Sequence, residues 1–428
     1  MDSLHTKGPA VKVLFLGSNY HPEQMGIGPH TATLSEALVQ RDHAVQVCTT
    51  FPHFPAWRIS NGYRGRVRSR EVLGGVVVLR SWSTMGGGRS AIRRILYDTS
   101  LSAGILLNSL TFTPDVVVSI SPPIELGIAG ALLARRSGAA HVLAVKDLPM
   151  DLALATGMMR RGVAFRVGKV MEQAVFRLAD LITVITDGFT RRLVEDGVPP
   201  TKIVEIPNWA EPANIQPMTP SHQIRAELGA EPNDFLIVYS GNFGAKQDLR
   251  TLVAAAAAAS TGFKLALVGD GPEKSQLAAF AEAAGAANVA FAEPAPRDSY
   301  PELLSSANVL ALTQLPGVTD SVAPAKLLAY MSSARPIVVA VNSASETARL
   351  VQKAGCGFVT PAGDAVAFAE AVQSLKADPE MATRMGRAGR AYVDLYHQSE
   401  ALFDRWDGML REAVRRHPGR ASARREPD

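Results

Sequence analysis

Short apolar runs alternate with longer amphipathic segments along most of the chain. An apolar run at residues 11–17 ends in a glycine, and a polar loop follows it. Apolar residues then recur at helical spacing over residues 29–41, before a second apolar run at residues 44–48. This order predicts a β-α-β unit, because continuous apolar strands separated by helices are typical of a parallel sheet that is covered on both faces.

The same alternation forms two series. In the first, further strands are predicted at residues 76–80, 115–120, 141–145 and 181–185; in the second, at residues 235–239, 264–269, 289–291, 309–312, 337–341 and 357–359. Between the series, residues 206–220 contain four prolines and predict a linker. Ligands of such sheets bind beyond the carboxyl ends of the strands. The sequence therefore predicts an α/β protein with two Rossmann-like, doubly wound domains that face a central cleft.

Length and composition agree with two domains. The chain has 428 residues, of which 47% are hydrophobic, so that each half can form a core. Its formal net charge is only +4, and six arginines lie in the last eighteen residues. We expect residues 415–428 to be a disordered tail, with contact to anionic lipid as the alternative. Aromatic residues make up only 6% of the chain, which argues against nucleic-acid binding.

The compartment and the metal chemistry are also constrained. Cys48 and Cys356 form no CxxC pair, which fits a reducing cytoplasm. No segment is apolar enough to span a bilayer, so that any membrane contact would be peripheral. The basic and apolar stretch at residues 89–110 predicts either an ordinary core helix or a helix on an anionic membrane surface. No DxD motif occurs and no loop offers converging oxygen ligands, which favours metal-independent chemistry.

Glycine-bearing turns follow several predicted strands. Gly26 and Gly28 lie between the first strand and its helix, where the backbone could approach a ligand closely. A dinucleotide-binding fingerprint, GxGxxG, would need a third glycine where this chain has Thr31, so these glycines do not form that motif. Gly269 and Gly271 lie in a similar turn in the second series. Flexible turns without a ligand are the alternative.

Two segments of the second series suit phosphate. Lys246, in the turn after its first strand, could supply a positive charge to a leaving diphosphate, although a solvated lysine has the same spacing. Residues 319–331 predict a polar loop and a helix that opens near Pro324. The free amides of a helix N-terminus bind anions.

Taken in order, these segments resemble the family 4 glycosyltransferases, which have the two-domain GT-B fold, and among them the colanic-acid type. The resemblance covers residues 11–410. It rests on YHPE at 20–23 with Gly26, FPHFP at 51–55, NGYR at 61–64, Asp147-Leu148, IPNW at 206–209, YSGN at 239–242 with Lys246, GDGP at 269–272, and PAK at 324–326 running to Arg335-Pro336.

The resemblance implies that residues 1–212 bind an acceptor and residues 213–397 bind a nucleotide-sugar, while a final helix over residues 398–414 packs back on the first domain. Transfer would retain the anomeric configuration, to a polysaccharide or a polyprenyl-linked oligosaccharide. The donor would be UDP- or GDP-linked, with no further cofactor. Its expected ligands are Gly26, Gly28, Asn242, Lys246, Gly269, Gly271, Asp320, Ser321, Val322 and Lys326.

The chain departs from the family pattern at two places. Related enzymes carry two glutamates eight positions apart, where this chain has Ser321 and Ala329. Many also place a histidine after the fourth strand of the first domain; here Asp147 is the candidate for contacting the sugar, with a structural aspartate as the alternative. Two further functions therefore stay open: a non-catalytic partner subunit of this fold and a sugar-nucleotide epimerase.

Overall fold

The computed structural model describes residues 9–23, 26–54, 57–85, 91–155, 157, 159–210, 215–258, 262–319 and 325–417. The chain divides into two compact units. Unit 1 comprises Met1–Met150, Arg161–Ile206 and Glu400–Asp428, and unit 2 comprises Asp151–Arg160 and Pro207–Ser399. Both cysteines are buried free thiols.

Among the described residues, the first part of the chain has eight strands and six α-helices. They are β1 (Lys12–Leu16), α1 (Gly28–Gln40), β2 (Ala44–Thr50), β3 (Arg68–Leu73), β4 (Val76–Ser81), α2 (Ala91–Ser109), β5 (Val116–Ser121), α3 (Glu125–Ser137), β6 (Ala140–Val145), α4 (Pro149–Ala155), α5 (Val163–Leu178), β7 (Leu181–Val184), α6 (Asp187–Glu195) and β8 (Ile203–Glu205). The strands form one sheet in the order β3-β4-β2-β1-β5-β6-β7-β8. Every pairing is parallel except that of β3 with β4.

The described residues of the remainder of the chain form six strands and nine α-helices. They are α7 (His222–Glu227), β9 (Leu236–Ser240), α8 (Leu249–Ala258), β10 (Lys264–Val268), α9 (Lys274–Ala283), β11 (Val289–Ala292), α10 (Tyr300–Ser306), β12 (Val309–Thr313), α11 (Ala325–Ser332), β13 (Ile337–Val341), α12 (Glu346–Ala354), β14 (Gly357–Pro361), α13 (Ala365–Ala377), α14 (Pro379–Tyr396) and α15 (Ser399–Arg416). The all-parallel sheet has the order β11-β10-β9-β12-β13-β14.

The apolar runs became strands because both faces of each sheet are covered. In β9, Leu236 and Val238 belong to one hydrophobic cluster, and Ile237 and Tyr239 belong to another on the opposite face. Two Rossmann-like, doubly wound domains are thus confirmed. The edge strand β3 was not predicted, since its RSREVL sequence buries no side chain completely, and neither was the three-residue β8.

The last helix, α15, belongs to unit 1 through its contacts with the first β-α-β unit. Arg41 pairs with Glu400 and Asp404 at 2.8 Å in each case. His43 accepts a hydrogen bond from Val11 N–H at its Nδ1 and lies 2.6 Å from Asp407 at its Nε2. In the parts of the chain that the structure describes, no helix is both long enough and apolar enough to cross a bilayer.

Candidate functional site

In the sheet of unit 2, the order in which successive strands are added reverses between β9 and β12. Strands added after β9 lie to one side of it, and β12 with its successors lies on the other, so that the loops after these two strands diverge at the carboxyl edge. The backbone joins the two loops, because Leu315 N–H donates to Lys246 O at 3.0 Å. Lys246 itself is half-buried in this turn. The predicted lysine therefore lies at the topological switch point, where ligands of such sheets bind.

Lys326 lies at the same edge, in the first turn of α11. Its Nζ donates to Tyr239 Oη at 2.7 Å and lies 4.2 Å from the centroid of that ring. Burial and the like charge of Lys246 lower the pKa of Lys326 to about 7. The positive charges of these two lysines thus act on one another at this edge, and a bound anion would relieve the repulsion.

Two tyrosines fix Lys326 in this position. Tyr239 accepts from Lys326 and donates to Asn242 O at 2.8 Å, which also holds the turn after β9. Tyr330 accepts from Ser240 N–H at 2.8 Å and donates to Ser240 O at 3.0 Å, so that α11 is fastened to the end of β9. Sequence reasoning gave neither tyrosine a role. For Tyr239, the available signal was a hydroxyl at the end of an apolar run, because a buried tyrosine hydroxyl usually finds a hydrogen-bond partner; Tyr330, within the run at 327–331, gave no such signal.

The predicted glycines of unit 2 meet backbone rather than open space. Gly269 has φ +152°, and a Cβ added to it would lie 1.9 Å from Gly241 O. Gly271 has φ +156°, and its Cβ would lie 2.5 Å from Asn242 Oδ1. These glycines therefore let the turns after β9 and β10 pack on one another, with Phe243 N–H donating to Asp270 O at 2.8 Å. Their direct effect is to support the turn that carries Lys246.

Replacing Gly269 by alanine is expected to destabilise unit 2 by about 3 kcal/mol or more, because the added methyl group meets a backbone oxygen at a φ that L-residues rarely adopt. Urea unfolding checks the free energy. Gly285→Ala is the matched control, since Gly285 also has a positive φ, of +64°, but its added Cβ meets nothing within 4 Å. Equal losses in the two variants would contradict a role for the packing of the turns.

In unit 1, a buried glutamate organises the loop after β1. Glu23 Oε1 accepts from the N–H groups of His53 and Phe54 at 2.8 and 2.7 Å, and Oε2 accepts from Asn19 Nδ2 and Tyr20 N–H at 3.0 and 3.3 Å. The loops after β1 and β2 are thereby joined. The YHPE motif had been noted only for its resemblance, and the structure shows that its glutamate has a positioning role.

Gly26 and Gly28 have different surroundings in this loop. Gly26 has φ +73° and is exposed; among the described residues, its added Cβ would meet only Phe54, at 4.0 Å. Gly28, the first residue of α1, would place a Cβ 3.4 Å from Tyr20 N. Gly26 therefore leaves its backbone open to a ligand, whereas Gly28 lets the helix start close to the loop.

Asp147 follows β6 at the carboxyl edge of the sheet of unit 1. It is half-buried, and its charge opposes the effect of burial on its neighbour Lys146, whose pKa is lowered to about 8. The Lys146 ammonium lies 5.9 Å from the ring centroid of Trp406 on α15.

The structure brings together five of the predicted donor residues in unit 2, which are Asn242, Lys246, Gly269, Gly271 and Lys326. Gly26, Gly28 and Asp147 belong to unit 1. Asp320, Ser321 and Val322 lie outside the described residues. Nowhere in the described ranges do three His, Cys, Asp or Glu side chains come together as the ligands of a metal ion would.

The fold and this site define a class: a protein of two doubly wound α/β domains, the second of which carries lysines at the switch point of its sheet. Residues 25–209 match the model of the glycosyl transferase 4-like domain, and residues 221–392 match that of the glycosyl transferases group 1. The chain belongs to the GT-B glycosyltransferases that combine these two domains, as its sequence motifs predicted.

Relatives agree with this assignment. The chain is 28% identical to WcaI of Escherichia coli (strain K12), named as a colanic acid biosynthesis glycosyl transferase. The alignment spans 351 residues, which are 80% of this chain and 86% of WcaI. Among solved structures, sucrose-phosphate synthase from Thermosynechococcus elongatus has a TM-score of 0.74 at 17% identity, covering 94% of this chain and 98% of that one. HepE of Anabaena in complex with UDP-glucose has a TM-score of 0.69 at 15% identity, covering 94% and 100%. These structures share the GT-B fold.

Proposed function

We propose that the protein transfers a hexosyl group from a UDP- or GDP-linked donor to a polysaccharide or a polyprenyl-linked oligosaccharide, with retention of anomeric configuration. The observation that carries the proposal is the pair Lys246 and Lys326 at the switch point of unit 2. Solved relatives of the same fold support the nucleotide, since HepE was crystallised with UDP and with UDP-glucose. Unit 2 would bind the donor and unit 1 the acceptor.

In the proposed reaction, the bond between the anomeric carbon and the diphosphate oxygen breaks. A new bond forms on the same face to an acceptor hydroxyl oxygen, and the hydroxyl proton passes to the departing phosphate. Charge develops on that diphosphate, where two ammonium groups stabilise it more strongly than they stabilise the intact donor. Lys246 and Lys326 would supply the positive charge that a metal ion supplies in other enzymes, so that neither a metal nor a further cofactor is needed.

The remaining predicted residues complete this proposal. The amides of residues 320–322 and the start of α11 would bind the phosphates, as helix N-termini do. The backbone at Gly26 would approach the donor, and Asp147 would bind a sugar hydroxyl. The relation to WcaI supports an exopolysaccharide acceptor. We also propose that the protein acts in the cytoplasm, at the inner face of the membrane.

A panel of UDP- and GDP-sugars tests the donor. We expect saturable binding of one nucleotide by calorimetry, with a dissociation constant between about 1 μM and 1 mM. Slow hydrolysis of the matching α-linked sugar should release the α-anomer first, which proton NMR distinguishes from the β-anomer before mutarotation. Release of the β-anomer would contradict retention, and the absence of nucleotide binding across the panel would contradict the donor proposal.

A non-catalytic partner subunit is the second candidate. It is favoured by Ala329, a half-buried residue of α11 at the position where related enzymes have a glutamate. This alternative predicts an intact fold without nucleotide binding, together with co-purification of an active transferase. Conversion of the donor into its epimer in the same panel would instead identify an epimerase.

A further inference from the structure

Three neighbouring helices of unit 1 expose large apolar side chains. They are Ile95, Leu96 and Leu107 on α2, Ile128 and Leu132 on α3, and Val163, Val167 and Val170 on α5. Because α3 packs against both α2 and α5, the three helices lie side by side and cover the same face of the sheet. We call these eight side chains the outer apolar face. An exposed apolar patch formed by adjacent elements marks an interaction site.

The pattern is most marked on α5. Val163, Val167 and Val170 are 78%, 62% and 65% exposed, and their spacing of four and three residues aligns them along one side of the helix. The other side buries Val175 and Phe176 against the core. A surface helix of a globular protein normally has a polar outer side. The apolar residues of α5 therefore exceed what its packing in unit 1 uses.

The exposed charges around the outer apolar face are mostly positive. Exposed arginines on or beside the three helices are Arg93, Arg135, Arg136, Arg161, Arg166 and Arg177. Among the acidic residues here, Asp98 and Glu172 are buried and Glu125 is partly buried, whereas Asp180, just after α5, is exposed. The face consequently presents apolar and cationic groups together, which complement an anionic bilayer surface, where arginines meet headgroups and apolar side chains enter the interface.

The outer apolar face also reaches towards the predicted acceptor residues. In a parallel sheet, each helix begins near the carboxyl ends of the strands, and Ile95, Ile128 and Val163 lie within the first five residues of their helices. On α5 a contact shows this directly, because a Cβ added to Gly168 would lie 2.2 Å from Met150 Sδ. Met150 is only three residues beyond Asp147. The apolar end of the face is therefore near the carboxyl edge that bears Asp147.

We propose that the outer apolar face of α2, α3 and α5 docks on an anionic lipid bilayer. The arginines would contact the headgroups, and the first turns of the helices would enter the interface. A lipid-linked acceptor would then meet the carboxyl edge of unit 1 without leaving the membrane. The choice of acceptor rests on the proposed function, whereas docking itself does not.

Vesicle flotation tests docking with the full chain. We expect binding to vesicles of phosphatidylcholine with about 30% phosphatidylglycerol, and little binding to phosphatidylcholine alone. The double variant Arg161→Glu with Arg166→Glu should weaken binding by about tenfold or more, since each arginine near an anionic surface contributes about fivefold. The variant Val163→Ser with Val167→Ser should lower binding by a similar factor, and that loss should persist at about 0.5 M salt, where charge is screened.

A matched control is available in unit 2, where Val366 and Arg387 are also exposed. Val366→Ser with Arg387→Glu should leave flotation unchanged. UDP binding and thermal unfolding are measured on every variant, so that a failed donor site or a failed fold is recognised separately. Equal binding to both vesicle types, no binding to either, or binding that both face variants retain would overturn the proposal. A concentration-dependent dimer that Val163→Ser with Val167→Ser dissociates would show that a second copy occupies the face instead.

Discussion

Replacing Lys246 by alanine is expected to lower the rate of sugar transfer by about 100-fold or more, which corresponds to the loss of one charged donor to a developing anion. The fold should be preserved, because the hydrogen bond that joins this turn to the loop after β12 uses the backbone oxygen of Lys246. Single-turnover transfer from the donor that the panel identifies measures the effect. UDP affinity should fall less than the rate, since the charge on the diphosphate increases as the glycosidic bond breaks.

Lys274→Ala is the matched control for this result. Lys274 lies on α9 of the same unit, and its ammonium pairs with Glu293 rather than with the site. Its replacement should leave transfer within about twofold, because an exposed ion pair contributes little. If Lys246→Ala and Lys274→Ala transferred sugar at the same rate, Lys246 would be a solvated lysine, which is the alternative that the sequence leaves open.

Replacing Lys326 by methionine is expected to weaken UDP binding by about tenfold or more while making the folded protein more stable. The pKa of Lys326 is lowered to about 7 by burial and by Lys246, so that the free protein is half-protonated there near neutral pH. Methionine fills the same space without a charge that burial disfavours. We therefore expect a gain of about 1–3 kcal/mol in the free energy of unfolding at pH 7.

The same pKa predicts how donor binding depends on pH. A bound diphosphate favours the ammonium form of Lys326. Above pH 7, where Lys326 is mostly neutral in the free protein, it should therefore take up a proton when UDP binds. UDP affinity should be constant just below pH 7 and should fall by up to about tenfold per unit above it. Burial raises the pKa values of Tyr239 and of the neighbouring Tyr300, the latter to about 12, so both hydroxyls keep their protons over this range.

Calorimetric titrations of UDP between about pH 7 and 9 check the dependence on Lys326. The slope should be present in the wild type and absent in Lys326→Met. Stability has the opposite trend: the wild type should become more stable between pH 7 and 10.5, because the unfolded chain keeps a proton that the folded chain has lost. A variant with the same pH slope as the wild type would show that another group titrates on binding.

Periodicity was sufficient for most of the fold because doubly wound sheets bury their strands on both faces. The strand β13, with the sequence IVVAV, could be predicted without knowing which strands it pairs with. A continuous apolar run of this length between two helices is typical of a buried strand in a parallel sheet. The strand β3 could not be found in this way. It lies at the edge of the sheet and pairs only with β4, so its stability comes from an antiparallel ladder instead of from buried side chains.

The candidate site was predicted in part, and the missing part has a common cause. Lys246 and the glycine turns stand at recognisable places relative to the strands, so that sequence reasoning could select them. The effects of Glu23, Tyr239 and Tyr330 depend on hydrogen bonds with residues 30, 87 and 90 positions away, respectively. No local pattern encodes such distances, because only the packing of separate β-α units brings these partners within reach.

The sequence by itself thus determined two series of β-α units, the glycosyltransferase family and the lysine after the first strand of the second series. Each of these depends on local periodicity or on the order of short motifs. The tertiary structure decided that Lys326 is held on Tyr239 and feels the charge of Lys246, that Gly269 and Gly271 meet backbone, and that three helices expose one apolar and basic face. Those features exist only once distant segments are packed together, since burial and the distance between charges are properties of the folded chain.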